Sequence, residues 1–407
     1  MSKLKTSTKP PLILAQLLRD TRIAQAFQIL DQTATELTRE HIAICEIPAP
    51  PFQEMKRAEY FRMRFQELGL AEVDIDTVGN VTACWPGTAS HYVCLSAHLD
   101  TVFSAETDCR VRRRGQRYYA PGISDNASGL AGLVAIARAL VRAGIKPQIP
   151  ILFVATVGEE GTGNLRGVRH LYTKSHYRQR IKYFISFDGP GIERITHRAL
   201  GSKRYRITIK GPGGHSWGDF GIVNPIHALG RAIAKMANYD VPQQPRTSYN
   251  VGIIEGGSGI NSIAQYAQMS IDLRSVSEAQ LTKIETYLMR AIQEAVAEEN
   301  QHCAHSDTTL KVEIEMIGHR PSGELAVNTT LVQTAIEATQ CFGITPYLEC
   351  SSTDSNIPIS MGLEAITIGA GGNCGSCHTL EEWFEVGERE TSLKRALVLL
   401  LALTGLK

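Results

Sequence analysis

The stretch 91-HYVCLSAHLDTV-102 decides the architecture. From Tyr92 to Ala97 it is a largely apolar run, the pattern of a strand buried on both faces of a sheet. It ends on two polar residues, His98 and Asp100. Residues two apart in an extended chain share a face, so one of the pair can bind a metal through its imidazole while the other orients that ring. Downstream, 128-SGLAGLVAIARALVRAG-144 reads as an apolar-faced helix and 148-QIPILFVATV-157 as a second strand. The short helix 164-NLRGVRHLYTK-174 and the strand 181-IKYFISFDG-189 follow. Strands alternating with helices predict an α/β domain with a mostly parallel central sheet.

The pattern changes near residue 200. Strand 204-RYRITIKG-211, helix 224-NPIHALGRAIAKMANY-239, strands 247-TSYNVGIIEGG-257 and 264-AQYAQMSIDLRS-275, helix 278–300 and strand 309-TLKVEIEMIGHR-320 make a β-α-β-β-α-β series. That is the size of a small α+β domain with its own sheet. The α/β style then resumes with helix 328–343, strand 364-EAITIGAGG-372 and helix 390–405. The expected organisation is an outer α/β domain in two parts, 1–199 and 319–407, with an inserted α+β domain at 200–318. At 407 residues the chain also exceeds what one hydrophobic core usually supports.

Composition narrows the function classes. Lys and Arg total 42 against 41 Asp and Glu, a net charge of +1, so no broad basic field speaks for a nucleic-acid partner. The N-terminal MSKLKTSTKPPLILAQLLRD carries no cleavage pattern of a signal peptide, and the longest apolar run, ALVLLLALTGL, is too short to span a membrane. The nine cysteines form no repeating framework, which fits a reducing compartment, and a cytoplasmic location is expected. One loop, 371-GGNCGSCHTLEEW-383, admits three chemistries. Cys374, Cys377 and His378 spell the C-x-x-C-H of covalent haem attachment, contain a thioredoxin-like cysteine pair, and offer a histidine that could bind a metal on its own.

In open α/β sheets, ligands bind beyond the carboxyl ends of the strands. His98 and Asp100 end one strand, Asp125 lies in the turn 122-GISDNASG-129, Glu159 and Glu160 follow the next strand, and Asp188 follows the one after. His378 comes shortly after a later strand of the same sheet. Singly, each has an ordinary explanation as a turn, cap or solvated surface residue. Their gathering at one end of one sheet points instead to a site. Two histidines with three carboxylates suit a pair of Zn²⁺-like ions without any sulfur ligand. H-E-x-x-H does not occur.

The ordered set HLDTV, SDNASG, EEGTGNLRG, FDG and the late histidine resembles the co-catalytic zinc exopeptidase and deacylase family. That family includes tripeptide aminopeptidase, carboxypeptidase G, acetylornithine deacetylase and succinyl-diaminopimelate desuccinylase. The resemblance extends over nearly the whole chain after residue 40. It implies two divalent ions per subunit, zinc with cobalt or manganese as alternatives. His98 and Asp188 would hold one ion, Glu160 and His378 the other, and Asp125 would bridge them. Asp100 would orient His98, and Glu159 would be the general base. The inserted domain would be the family's lid and dimerisation domain, with GPGGHSW supplying His215, GGSGINSIAQ supplying Asn261 and IDLRS supplying Arg274 to the substrate. Two features depart from the pattern: Ala127 stands where many members carry lysine, and Cys374 and Cys377 are not family ligands. The resemblance implies a homodimeric hydrolase of terminal amides, an aminopeptidase on short peptides or, on the same scaffold, an N-acyl-amino-acid deacylase or carboxypeptidase. From another class, the CGSCH loop leaves a haem or thiol redox protein as the alternative, and a binding module without turnover is a third.

Overall fold

The computed structural model describes residues 12–303 and 308–407, so the first eleven residues of the N-terminal segment read above for export signals lie outside the described residues. The chain divides into two compact units, Met1–Ala199 with Glu324–Lys407, and Leu200–Gly323.

The first unit is built on a central sheet. Its main strands are β1 (Ala71–Ile75), β2 (Val81–Trp85), β3 (Tyr92–His98), β4 (Ile151–Thr156), β5 (Ile181–Phe187), β6 (Arg194–Ala199), β7 (Tyr347–Ser351) and β8 (Glu364–Ile368). They lie in the order β1-β2-β4-β3-β5-β8-β6, with β7 parallel to β6. The four central strands β4, β3, β5 and β8 are mutually parallel, while β1 with β2, β2 with β4, and β6 with β8 pair antiparallel. Every residue of β3 and β4 is buried, as their apolar runs require. Register brings the four central strands to a level finish, with His98 opposite Thr156, Ala97 opposite Phe187, and Phe187 opposite Ile368. Whatever follows those residues is therefore delivered to one edge.

Helix Ala127–Arg142 connects β3 to β4 and is buried from Ala127 to Leu140. Its start is held by Asn126, whose side chain accepts the Gly129 N–H at 3.2 Å. A Cβ on Gly129 would come within 2.2 Å of that same side-chain oxygen. Helices Thr21–Gln32, Ala34–Cys45 and Met55–Glu67 precede the sheet, a region in which the strand pattern gave no expectation. The sequence pattern also gave no sign of a small antiparallel sheet of Arg112–Arg114, Arg117–Tyr119, Trp383–Glu385 and Asn373–Gly375. Two of its strands flank the loop that bears His378.

The second unit is a four-stranded antiparallel sheet in the order Thr247–Gly256, Tyr266–Ser275, Gly201–Lys210, Lys311–Arg320. Helices Pro225–Ala237 and Glu278–Gln301 pack with it around Ile207, Met269, Ile271, Leu229 and Leu288. Burial alternates along Tyr266–Ser275, as expected of a sheet with one covered face. Strand Lys311–Arg320 runs through position 318, and the unit continues to Gly323. No helix among the described residues is long and apolar enough to cross a membrane.

Candidate metal centre

At the level ends of β3 and β4, Asp100 ties the two strands together. Its carboxylate accepts the backbone N–H groups of Glu159 at 3.0 Å and Glu160 at 2.7 Å. Its backbone carbonyl lies 3.0 Å from His98 Nδ1, and its Oδ1 lies 3.7 Å from the same nitrogen. A proton donated from Nδ1 to that carbonyl leaves the Nε2 lone pair for another partner. Before the two glutamates, Gly158 turns the chain with φ +63°, and a Cβ there would overlap the Arg166 side chain. The turn is one that only glycine makes freely.

Asp125 stands between the two histidines. Its Oδ1 is 3.0 Å from His98 Nε2, and its Oδ2 is 3.1 Å from His378 Nε2. On the first side Asp188 Oδ1 lies 3.9 Å from His98 Nε2, and on the second Glu160 Oε1 lies 3.2 Å from His378 Nε2. Two nitrogen–carboxylate clusters thus share one carboxylate. Donor atoms of His98, Asp125 and Glu160 all fall within 4.8 Å of one another.

The chemistry of this donor set fits divalent cations. His98 Nε2 and Asp125 Oδ1 are buried and, although 3.0 Å apart, neither has a hydrogen-bond partner, because the contact lacks hydrogen-bond alignment. Buried polar atoms without partners are costly unless something else engages their lone pairs. Imidazole nitrogens and carboxylate oxygens in such an array suit Zn²⁺-like ions.

The electrostatics agree. Burial opposes charge on His98, but the neighbouring carboxylates of Asp100, Asp125 and Asp188 outweigh it and put the ring's pKa well above 6.5. Hydrogen bonds to Asp125 and Glu160 raise His378 to about 11. Burial raises Glu160, whereas in Asp125 the two histidines overcome burial and lower it. A site that holds protons this tightly is one whose carboxylates demand positive charge.

Two residues not singled out from the sequence support the site. Glu382 is fully buried, and its carboxylate accepts the Ser124 N–H at 2.8 Å, the Ser124 hydroxyl, the Asp125 N–H at 3.2 Å and the Gly122 N–H at 3.1 Å. It fixes the backbone of the turn that presents Asp125. Its signal was the acidic pair 381–382 shortly after His378. Asp354 is buried, accepts the Thr156 hydroxyl at 2.6 Å, and is raised to about 6 by that burial. It follows β7, which runs opposite to the central strands, so a search at their carboxyl ends does not find it.

The family model for peptidase family M20/M25/M40 matches residues 94–404, a span holding every one of these groups. The chain belongs to this family. Among curated M20-like relatives, the succinyl-diaminopimelate desuccinylase of Azoarcus sp. is 26% identical over 216 residues, 49% of this chain and 57% of that protein. The chain thus spans a little over half the length of that relative. Among solved structures, the aminopeptidase PepT of Bacillus cereus shares 21% identity at a TM-score of 0.71, covering 90% of this chain and 97% of that one. A dinuclear metal-binding M20 peptidase of Bacillus subtilis shares 15% at 0.67, covering 92% and 99%. At these identities the structural likeness establishes a common fold.

The remaining candidates belong to the second unit. His215 lies on a two-residue strand, Gly214–His215, paired with Ser262–Ile263. Its Nδ1 accepts the N–H groups of Trp217 and Gly218, both at 3.2 Å, which places the ring proton on Nε2. The Asn261 carbonyl accepts the Ser216 N–H at 3.0 Å, so His215 and Asn261 are neighbours. Arg274 is not with them. It sits at the far end of strand Tyr266–Ser275, about 26 Å from Tyr266 at the usual strand rise, and pairs with Asp272 at 2.6 Å.

Proposed function

We propose that this chain is a dinuclear metal-dependent hydrolase of terminal amide bonds, most specifically an aminopeptidase acting on short peptides. The observation that carries the reading is Asp125, whose two oxygens each face a different histidine. His98 and Asp188 would hold one ion, His378 and Glu160 the other, and Asp125 both. Bound there, two divalent ions supply an acidified water and a Lewis acid for the scissile carbonyl. Zinc fits the donor set, with cobalt and manganese as alternatives.

The chain's own residues do the rest. Asp100 keeps His98 in the tautomer that offers Nε2, and holds the Glu159 and Glu160 backbone in place. Glu159 accepts a proton from the attacking water and returns it to the leaving amine. His215, with its proton on Nε2, is placed to donate a hydrogen bond to the carbonyl oxygen as charge develops there. We assign that histidine to the active site of a second copy, in a homodimer formed through the second unit. Supporting this is the edge strand Thr247–Gly256, which leaves Ile253 and Ile254 exposed. Unpaired apolar edges of this kind invite pairing with another chain.

The test combines metal analysis with a substrate panel. Purified protein should hold two divalent ions, release the N-terminal residue of tripeptides with a free amine, and spare their N-acetylated counterparts. Cleavage of N-acyl amino acids alone would favour the second reading, a deacylase. The desuccinylase relative supports that alternative, in which Arg274 grips the substrate carboxylate. Mixing inactive His215→Ala subunits with inactive Glu159→Gln subunits should restore part of the activity, and no recovery in verified heterodimers would place His215 in its own subunit's site.

A further inference from the structure

The cysteine pair of the CGSCH loop has no part in the chemistry above, yet it lies between two groups assigned to the metals. Cys374 Sγ and Cys377 Sγ are 3.3 Å apart. Cys377 is exposed, directly precedes His378, and places its sulfur 3.5 Å from the hydroxyl of Ser124, the residue before Asp125. The pair sits on a hairpin whose strands, Asn373–Gly375 and Trp383–Glu385, hold its two ends together. Between them the backbone is left-handed at Ser376, φ +54°, and at His378, φ +63°, a conformation that L-residues adopt only when the surroundings impose it. Of the other seven cysteines, four are buried and three are partly so, and none neighbours a proposed ligand in sequence.

We propose that Cys374 and Cys377 are a site of reversible oxidation by peroxides, and that the disulfide they form weakens metal binding at His378. The second half of this statement rests on the proposed metal site. In the reaction, one thiolate attacks a peroxide oxygen, the O–O bond breaks, and a sulfenic acid forms as hydroxide leaves. The second thiolate attacks that sulfur, the S–S bond forms and a second hydroxide leaves, and the two protons given up by the thiols convert both hydroxides to water. Two thiols lose two electrons in all, and hydrogen peroxide is reduced to two waters. A dithiol reductant reverses the change, becoming a disulfide itself.

The structural consequence follows from the distances. Bonded sulfurs stand ~2.05 Å apart, so closure draws them about 1.2 Å nearer than they are now. Part of that movement falls on Cys377, which adjoins His378, and the new bond ties the loop down beside a ring whose Nε2 is set 3.1 Å from Asp125 and 3.2 Å from Glu160. Disturbing the support of a metal ligand typically costs about 10–100-fold in metal affinity or activity.

The experiment uses the full chain, metal-loaded and reduced, treated with hydrogen peroxide, with and without later dithiol reductant. Peptide mapping should find the 374–377 disulfide, metal analysis should show loss of one of two ions, and activity should fall about tenfold or more and return on reduction. Cys374→Ala/Cys377→Ala protein, or Cys374→Ser if the pair is needed for folding, should keep metal and rate through the same treatment. Absence of that disulfide, its formation without loss of metal, or equal inactivation of the cysteine variants would each overturn the inference. Reduced protein that binds no metal would instead overturn the proposed metal site and with it the link to His378, whatever the mapping shows.

Discussion

His98 and His378 face the same carboxylate from opposite kinds of structure. His98 is 2% exposed at the end of a strand buried throughout, backed by Asp100, which itself accepts two backbone N–H groups just past the end of the next strand. His378 has a side chain 52% exposed, on a loop closed by a two-strand hairpin, in a left-handed backbone conformation. One proposed ligand belongs to the core, and the other is brought to the core's edge. A metal centre built this way would have a rigid half and an adjustable half. The adjustable half is where ligand loss and oxidation should act without unfolding the protein.

The variant that would break this contrast outright is Asp125→Asn. Because the carboxylate faces both histidines, its loss should remove both ions and cost about 10⁴-fold or more in turnover, and metal analysis alongside kinetics checks it. Retention of one full equivalent would mean the halves are independent. Glu159→Gln should keep both ions and lower kcat by about 10²–10⁴, since it removes the proposed proton acceptor and no proposed ligand. Glu382→Gln should loosen the Asp125 turn and weaken metal binding by about 10–100-fold, measured by competition with a chelator.

Acidity sharpens the comparison further. His378 is raised to about 11 in the metal-free protein by Asp125 and Glu160, above the 6.5 of an unfolded histidine. Its imidazolium therefore stabilises the metal-free fold fully below about pH 6.5, and that contribution is lost as pH rises toward 11. An ion needs the neutral ring and so competes with this proton. Metal affinity should climb about tenfold per pH unit for each proton displaced within this window, with proton release visible calorimetrically in two buffers of different ionisation enthalpy. A flat profile would show that His378 is not the displaced group. The smallest expected effect separates the halves by stability. Metal-free His98→Ala should lose about 3 kcal/mol by stranding buried carboxylates, whereas metal-free His378→Ala, whose ring is half exposed and screened by solvent, should lose less. Thermal or denaturant unfolding distinguishes them.

The rigid half was the legible half. Apolar runs such as Tyr92–His98 and Ile151–Thr156 declare buried parallel strands, because a strand covered on both faces must be apolar along its length. Once the strands are parallel, their carboxyl ends share an edge, and His98, Asp100, Glu159, Glu160 and Asp188 are placed together by connectivity alone. His378 was a candidate from its place after a later strand of the same sheet, and the resemblance made Asp125 the shared ligand; both are proposals that now rest on the distances from Asp125 to the two histidines. The small sheet around the His378 loop could not be read in advance. Its strands are three residues long and come from segments more than 250 residues apart, and so brief a stretch carries no periodicity. Glu382 and Asp354 were hidden for a related reason. Each acts through partners remote in sequence, and a carboxylate's burial depends on what packs around it.

By itself, then, the sequence determined which strands are buried, that they run parallel, and which charged residues end them, because backbone hydrogen bonding and apolar burial act over a few residues and leave a local pattern. Only the tertiary structure decided that Asp125 turns one oxygen to each histidine, that Glu382 holds it there, and that two sulfurs come to 3.3 Å beside a proposed ligand. Those are distances between side chains on different segments, set by how the loops close, and no local pattern encodes them.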